Sequence, residues 1–143
     1  MKSRILVFIQ FATIFLMLLP LGGDIKHPYA GIVLILVGLL IGLGALYKNR
    51  LGNFNIRPDI KENCVFINDG IYAYIRHPMY SSVLTGMFGV LIAYANIYTA
   101  FLYLILFIDL LVKMFYEESL WHCKDERYDA YAKNTYRLVP YIF

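Results

Sequence analysis

Four apolar runs divide this chain, at about Ile5 to Leu21, Ala30 to Tyr47, Met79 to Ala95 and Ile97 to Tyr116. Each approaches the roughly 20 residues that a helix needs to cross the hydrocarbon of a bilayer, where the backbone must satisfy its own polar groups. With 60% hydrophobic residues, 16% charged residues and a mean hydropathy of +0.60, a soluble domain of 143 residues has no core large enough to hide them. The sequence therefore predicts an all-α integral membrane bundle of about four transmembrane helices, forming one domain over residues 1–143. The third run is short, and Gly86 and Gly89 weaken it. A tilted or partial crossing is expected there.

Loop charge sets the orientation, because Lys and Arg beside short loops favour the cytoplasmic side. Lys26 stands alone between the first two runs, which leaves the other 12 of the 13 Lys and Arg residues at or near the opposite side. Both termini are expected in the cytoplasm, in a multi-pass protein of the inner or cell membrane. Lys2 and Arg4 before an apolar run also suit a signal peptide, but no small-x-small cleavage site follows. The net charge of +3 is accounted for by positive-inside loops and calls for no nucleic acid. Cys64 and Cys123 are expected to be cytoplasmic and reduced. They have no CxxC or Cys/His spacing, so no metal site is expected.

Lys48 to Ile75 is the only long polar stretch, and it mixes charge with apolar residues such as Leu51, Phe54, Val65 and Phe66. A segment of that kind inside a small domain is usually functional. Asn68-Asp69-Gly70 closes it as a turn. Pro78 disfavours helical angles at His77 and suits the first position of the next helix. Arg76 and His77 then flank a helix N-terminus, where free amides favour an anion.

Two polar clusters bracket the last two runs. Arg76-His77-Pro78-Met79-Tyr80 leads in, and Glu117-Glu118 leads out. At about 1.5 Å per residue, the chain travels roughly 24 Å from Tyr80 to a turn at Asn96 and roughly 30 Å back to Glu117. Both clusters therefore reach one membrane face. Gathering a guanidinium, an imidazole, a phenol and two carboxylates at a lipid boundary is costly unless they hold a polar ligand.

Arg76-His77-Pro78-x-Tyr80, the hairpin, Glu117-Glu118, then Tyr128-x-x-Tyr131 and Arg137-x-x-Pro140, resemble the isoprenylcysteine carboxyl methyltransferase and phospholipid N-methyltransferase superfamily of membrane enzymes. The resemblance covers about Gly38 to Pro140 and includes Gly42-x-Gly44. The chain departs from it at Ile71, where many relatives carry Pro, and at Ser81-Ser82, where a Gly is frequent. The resemblance implies methyl transfer from S-adenosylmethionine to a lipophilic acceptor, with a cytoplasmic cofactor site. It implies that Arg76, His77, Tyr80, Glu117, Glu118, Tyr128, Tyr131, Gly42 and Gly44 bind the cofactor, and that Arg76, Glu117 and Arg137 act in catalysis. The partners it implies are lipidated or lipophilic small molecules and membrane lipids.

Plainer readings stand beside these. A lone Arg at a membrane edge is ordinarily a snorkelling anchor, but the adjacent His77-Pro78 and the downstream Glu pair argue for a site. Glu117 and Glu118 at a helix C-terminal end would oppose the dipole, a misfit that favours function. Most of the 13 tyrosines suit an interface belt. Gly38, Gly42 and Gly44 suit close helix packing as well as a cofactor.

Asp109, Lys113 and Glu117 recur every four residues along one stripe, and an internally paired Asp109–Lys113 couple is the expected arrangement. A polar path toward the cofactor is the other reading. His27 and His122 are expected as exposed loop residues. Residues 124–131 suggest a short amphipathic helix at the membrane surface, with Arg137, Pro140 and the last residues docking back on the bundle. Two other classes compete: a nicotinamide-dependent membrane reductase related to sterol reductases, and a non-enzymatic membrane subunit. The chemical identity of the acceptor (carboxylate, amine or thiol) and the oligomeric state are left open by the sequence.

Overall fold

A computed structural model describes residues 2–19, 23–49 and 65–143. Among them are five α-helices and no strand: α1 Lys2–Leu18, α2 Pro28–Lys48, α3 Pro78–Tyr94, α4 Ile97–Lys124 and α5 Arg127–Lys133, with a 3-10 turn at Gly70–Ala73 before α3. Most of the polar stretch after α2, with Cys64, lies outside the described residues.

Proline starts both α2 and α3. Pro28 and Pro78 occupy a first-turn position where the missing N–H costs nothing, and His27 and His77 precede them with φ of −129° and −121°. The α3–α4 hairpin turns at Ala95, which adopts a left-handed φ of 46°, and the Asn96 side chain caps α4 by accepting from Thr99 N at 2.9 Å. At this end the α1–α2 loop also docks, with Lys26 and His27 N–H groups donating to Ala93 O and Lys26 Nζ donating to Ala95 O. The opposite end gathers the start of α1, the end of α2, the start of α3 and the last turns of α4.

Two helices, α2 and α4, are long and apolar enough to cross a membrane, whereas α1 and α3 are apolar but shorter. Each of the shorter pair has 17 residues, about 25 Å of helix against roughly 30 Å of hydrocarbon. The fourth apolar run ends at Tyr116, yet α4 continues to Lys124, 28 residues in all. Glu117 and Glu118 thus sit well inside the helix. The expected conflict with the helix dipole does not arise, because the unsatisfied carbonyls lie beyond them.

α2 packs along α3 through glycines. A Cβ at Gly38 would stand 2.7 Å from Gly86 N and 2.8 Å from Ser82 O, and one at Gly89 would stand 2.6 Å from Gly31 O. Ser82 Oγ fills the resulting contact by donating to Gly38 O at 2.7 Å. The apolar core joins Met17, Leu84, Met87, Leu106, Leu110, Met114 and Leu138. Outward residues of α1 and α2, among them Phe8, Phe15 and Leu40, are exposed, the arrangement of helices whose solvent is lipid.

Candidate active site

The site is assembled from three stretches that fold for local reasons and meet at one end of the bundle. Before α3 the backbone is extended, and its N–H groups are answered by the C-terminal segment: Arg76 N donates to Tyr136 O at 2.8 Å and His77 N to Arg137 O at 3.0 Å, while Tyr136 N donates to Tyr74 O at 3.0 Å. Ile75 and Tyr136 form a parallel bridge there. Leu138 then enters the core, and its carbonyl accepts from Ser81 Oγ at 2.6 Å. Docking on the bundle, expected from the sequence, is observed for residues 136–138, whereas the apolar end Tyr141, Ile142 and Phe143, expected to dock as well, is exposed.

Glu118 is the centre of the charge network. Its Oε1 accepts from Arg76 Nε at 2.9 Å and faces His77 Nε2 at 3.3 Å, and its Oε2 accepts from Arg137 Nε at 3.0 Å. Arg76 is further held through Nη1 by the carbonyl of Ala132 at 2.9 Å and by Thr135. Its side chain is only 6% exposed. Four acceptors on one buried guanidinium satisfy most of the donors that burial removes from water. Thr135 and the Ala132 carbonyl were not legible as site groups in the sequence.

Glu117 lies one position earlier and is more open, with its side chain 20% exposed. It accepts from Tyr80 OH at 2.6 Å, and its second oxygen lies 3.5 Å from His77 Nδ1. The His77 and Tyr80 rings stack at 5.5 Å and 11°. Burial alone would lower the His77 pKa, but its hydrogen bonds to Glu117 and Glu118 outweigh burial and raise it. The imidazolium form is thereby favoured between two carboxylates.

Beside this network α5 supplies the expected short helix. Tyr128 is buried within a ring of aromatic side chains from Phe66, Trp121, His122 and Tyr131. Tyr131 OH donates to Tyr72 O at 2.6 Å, whereas the buried Tyr128 OH has no hydrogen-bond partner among the described residues. Burial raises the pKa of both phenols, so each is a donor at neutral pH. A cleft of about 530 Å³ opens between α5, the C-terminal segment and the charge network, lined by Arg76, Glu118, Arg137, His122, Asp129 and Thr135 among others. That is within the roughly 300–1,000 Å³ usual for small-molecule sites.

Three expectations need correction or qualification. His122 is in α4, not a loop, and pairs with Asp129 of α5. Asp109 and Lys113 interact electrostatically but are not hydrogen-bonded to each other: Lys113 donates to Gln10 of α1, and the Asp109 oxygens have no hydrogen-bond partner among the described residues. Gly42 abuts α3, where a Cβ would stand 2.6 Å from Ser82 Oγ, and Gly44 faces Ile71 at an ordinary 3.9 Å. Neither glycine lines the cleft.

Residues 27–123 match the family model for phospholipid methyltransferases. The chain belongs to that family. It is thus a membrane methyltransferase of the superfamily that also holds the isoprenylcysteine carboxyl methyltransferases, as the sequence resemblance implied. No curated protein matches it. The family match runs from the N-cap of α2 to the last turn of α4 and takes in both polar clusters, while α1, α5 and Arg137 lie outside it.

Proposed function

We propose that the chain transfers a methyl group from S-adenosylmethionine to a heteroatom on a lipophilic acceptor at the cytoplasmic face of a membrane. One observation carries this reading: residues 76–80, the Glu117–Glu118 pair and Arg137 converge on one network of paired charges beside a cleft of about 530 Å³, in a chain of the phospholipid methyltransferase family.

The residues present fit such a cofactor. Arg137 has a side chain 36% exposed and commits its Nε to Glu118, so its terminal nitrogens suit the amino-acid carboxylate. Glu117, the more open carboxylate, suits the ammonium or the ribose hydroxyls. Tyr128 has an unanswered hydroxyl inside an aromatic cluster, which suits a flat heterocycle with a hydrogen-bonding edge. Arg76, His77 and Glu118 position these groups by fixing α3 against α4. Tyr80 extends from the network toward the interior and, through its hydrogen bond, sets the Glu117 carboxylate.

When bound, the sulfonium supplies an activated methyl group: the carbon–sulfur bond breaks with its electron pair going to sulfur, and a lone pair of the acceptor heteroatom forms the new bond. The protein's part is alignment and exclusion of water, which can contribute several kcal/mol without a metal or a covalent nucleophile. The polar donor arrives from the cytosol and the acceptor from the bilayer, with both termini on the cytoplasmic side and all four longer helices embedded.

Calorimetry with S-adenosylhomocysteine on the purified chain in lipid tests the cofactor, and methyl-labelled S-adenosylmethionine with amino lipids, fatty acids and prenylated thiols tests the reaction. Binding of a nicotinamide cofactor with no affinity for S-adenosylhomocysteine would overturn the proposal.

A further inference from the structure

Residues 138–143 fold into a small hook beyond the charge network. The N–H groups of Leu138 and Val139 both donate to Phe143 O, at 2.7 and 3.0 Å, and those of Ile142 and Phe143 donate to Val139 O, at 3.2 and 3.1 Å. Pro140 has no N–H to satisfy. Tyr141 closes the turn with a left-handed φ of 65°, a conformation uncommon for a bulky residue. Its side chain stands outward, 82% exposed, beside Ile142 at 80%. The hook thus presents two large apolar side chains to the surrounding medium while answering these backbone donors itself, as a segment entering a lipid phase must. None of the residues from Leu138 to Phe143 is charged.

Arg137 fixes the level of the hook. Its guanidinium carbon lies 5.3 Å from the Phe115 ring and 5.4 Å from the Phe143 ring, so the hook adjoins α4 at Phe115. Phe115 and Tyr116 are exposed, as are Leu104, Ile108 and Val112 earlier on the same face, and α4 is one of the two helices long and apolar enough to cross a membrane. The apolar run of α4 ends at Tyr116. The hook therefore continues a lipid-facing surface where it meets the head groups, the level at which Tyr side chains concentrate. Tyr136 stacks on Tyr141 there, with ring centroids 5.3 Å apart.

α5 has the opposite character. Tyr128 and Tyr131 turn inward onto Phe66, and what the helix exposes is Arg127, Asp129, Ala130 and Lys133. Such a face has no apolar area to bury at the acyl boundary. We infer that the hook, and not the α5 helix that the sequence suggested, is the element that docks into the bilayer interface, with Tyr141 and Ile142 among the head groups and upper acyl chains. Ile142 and Phe143 also line the cleft, so the bilayer backs one wall of the candidate site. The contact is apolar and aromatic, and it requires no anionic lipid.

The test places a nitroxide on Ile142→Cys or, in α5, on Ala130→Cys, in the chain carrying Cys64→Ser and Cys123→Ser and reconstituted in phosphatidylcholine vesicles. Both substitutions replace exposed side chains. Molecular oxygen concentrates in the bilayer and a nickel chelate stays in water, so the ratio of their collision rates with the label reads its depth. The oxygen-to-nickel ratio is expected to be several-fold higher at position 142 than at position 130, and unchanged when phosphatidylglycerol is added. Equal ratios, a higher ratio at position 130, or a high ratio at position 142 only with phosphatidylglycerol present overturns the inference. No cofactor enters the measurement, so failure of the methyltransferase reading would leave its result as it stands.

Discussion

Arg76 and Glu118 stand 42 residues apart and meet at 2.9 Å, with side chains 6% and 8% exposed. The pair ties the start of α3 to α4, and through the Ala132 and Thr135 carbonyls it also fixes the end of α5. Removing one member of a buried pair leaves a charge without compensation, at about 3–5 kcal/mol. Glu118→Ala should therefore destabilise the protein by that amount, whereas Arg137→Ala, whose side chain is 36% exposed, should cost about 1 kcal/mol or less. Unfolding by denaturing detergent, followed by helicity, compares them. Equal losses would show that the Arg76–Glu118 contact is not the clamp described.

The site's position was legible because helical rise fixes where a hairpin returns: Tyr80 and Glu117 had to reach one face, and they meet at 2.6 Å. Arg76's partners were not, because a backbone carbonyl such as that of Ala132 carries no sequence signature. The end of α4 was missed because apolarity, which sets the run to Tyr116, stops before helicity does: Glu117 to Lys124 continue the hydrogen-bond ladder as polar residues. The four-residue spacing of Asp109 and Lys113 correctly gave a shared face but not a shared bond. A long Lys side chain reaches across to Gln10 on another helix, and periodicity names a face without naming the neighbour. Gly42 was equally consistent with a cofactor or a helix contact, and only the approach of Ser82 distinguishes the packing role.

The α2–α3 contact yields a pair of opposite expectations. At Gly38 an added methyl would collide with backbone atoms of Gly86 and Ser82, at 2.7 and 2.8 Å, whereas at Gly86 nothing lies within 4 Å. Backbone cannot rotate aside, so Gly38→Ala should cost about 1–3 kcal/mol. Gly86→Ala should be neutral or stabilise by up to about 1 kcal/mol through helix propensity. The same detergent titration measures both, and a neutral Gly38→Ala would mean that the two helices do not approach as described.

His77 gives the site a dependence on pH. It faces Glu117 and Glu118 of α4, with Tyr80 stacked on it and Arg76 beside it in the chain. Burial opposes its charge, but the two carboxylates prevail, and its pKa is raised in the folded protein. A raised folded value means that the stabilisation is fully present below the unfolded pKa of about 6.5 and is lost as pH rises through the folded pKa. The stability difference between wild type and His77→Gln should therefore be largest near pH 6 and shrink on the alkaline side. A difference that stays constant from pH 6 to 9 would remove His77 as a charged member of the network.

Cys123 reports orientation. It is exposed near the end of α4, on the face where the charge network lies and opposite the end occupied by Lys26. If that face is cytoplasmic, as the Lys and Arg distribution implies, a membrane-impermeant maleimide applied to intact cells should leave Cys123 unlabelled in a Cys64→Ser background. Labelling should follow permeabilisation. Reaction from outside would invert the orientation.

Glu117 separates cofactor binding from folding more cleanly than Glu118 does. It is 20% exposed, accepts from Tyr80 OH at 2.6 Å with one oxygen and faces His77 Nδ1 at 3.5 Å with the other, and, unlike Glu118, it has no guanidinium paired with it. Glu117→Gln keeps the shape and an acceptor oxygen but removes the charge that a ligand ammonium would meet. The proposed site therefore predicts that S-adenosylhomocysteine binds this variant about 1–3 kcal/mol more weakly, the scale of a charge-assisted hydrogen bond, while detergent stability changes by less than about 1 kcal/mol. Cys123→Ser, on the exposed surface away from the cleft lining, serves as the control and should bind normally. If Glu117→Gln binds as tightly as the control, the ammonium or ribose is not held by Glu117, and the donor must be oriented by Arg137 and the other residues that line the cleft.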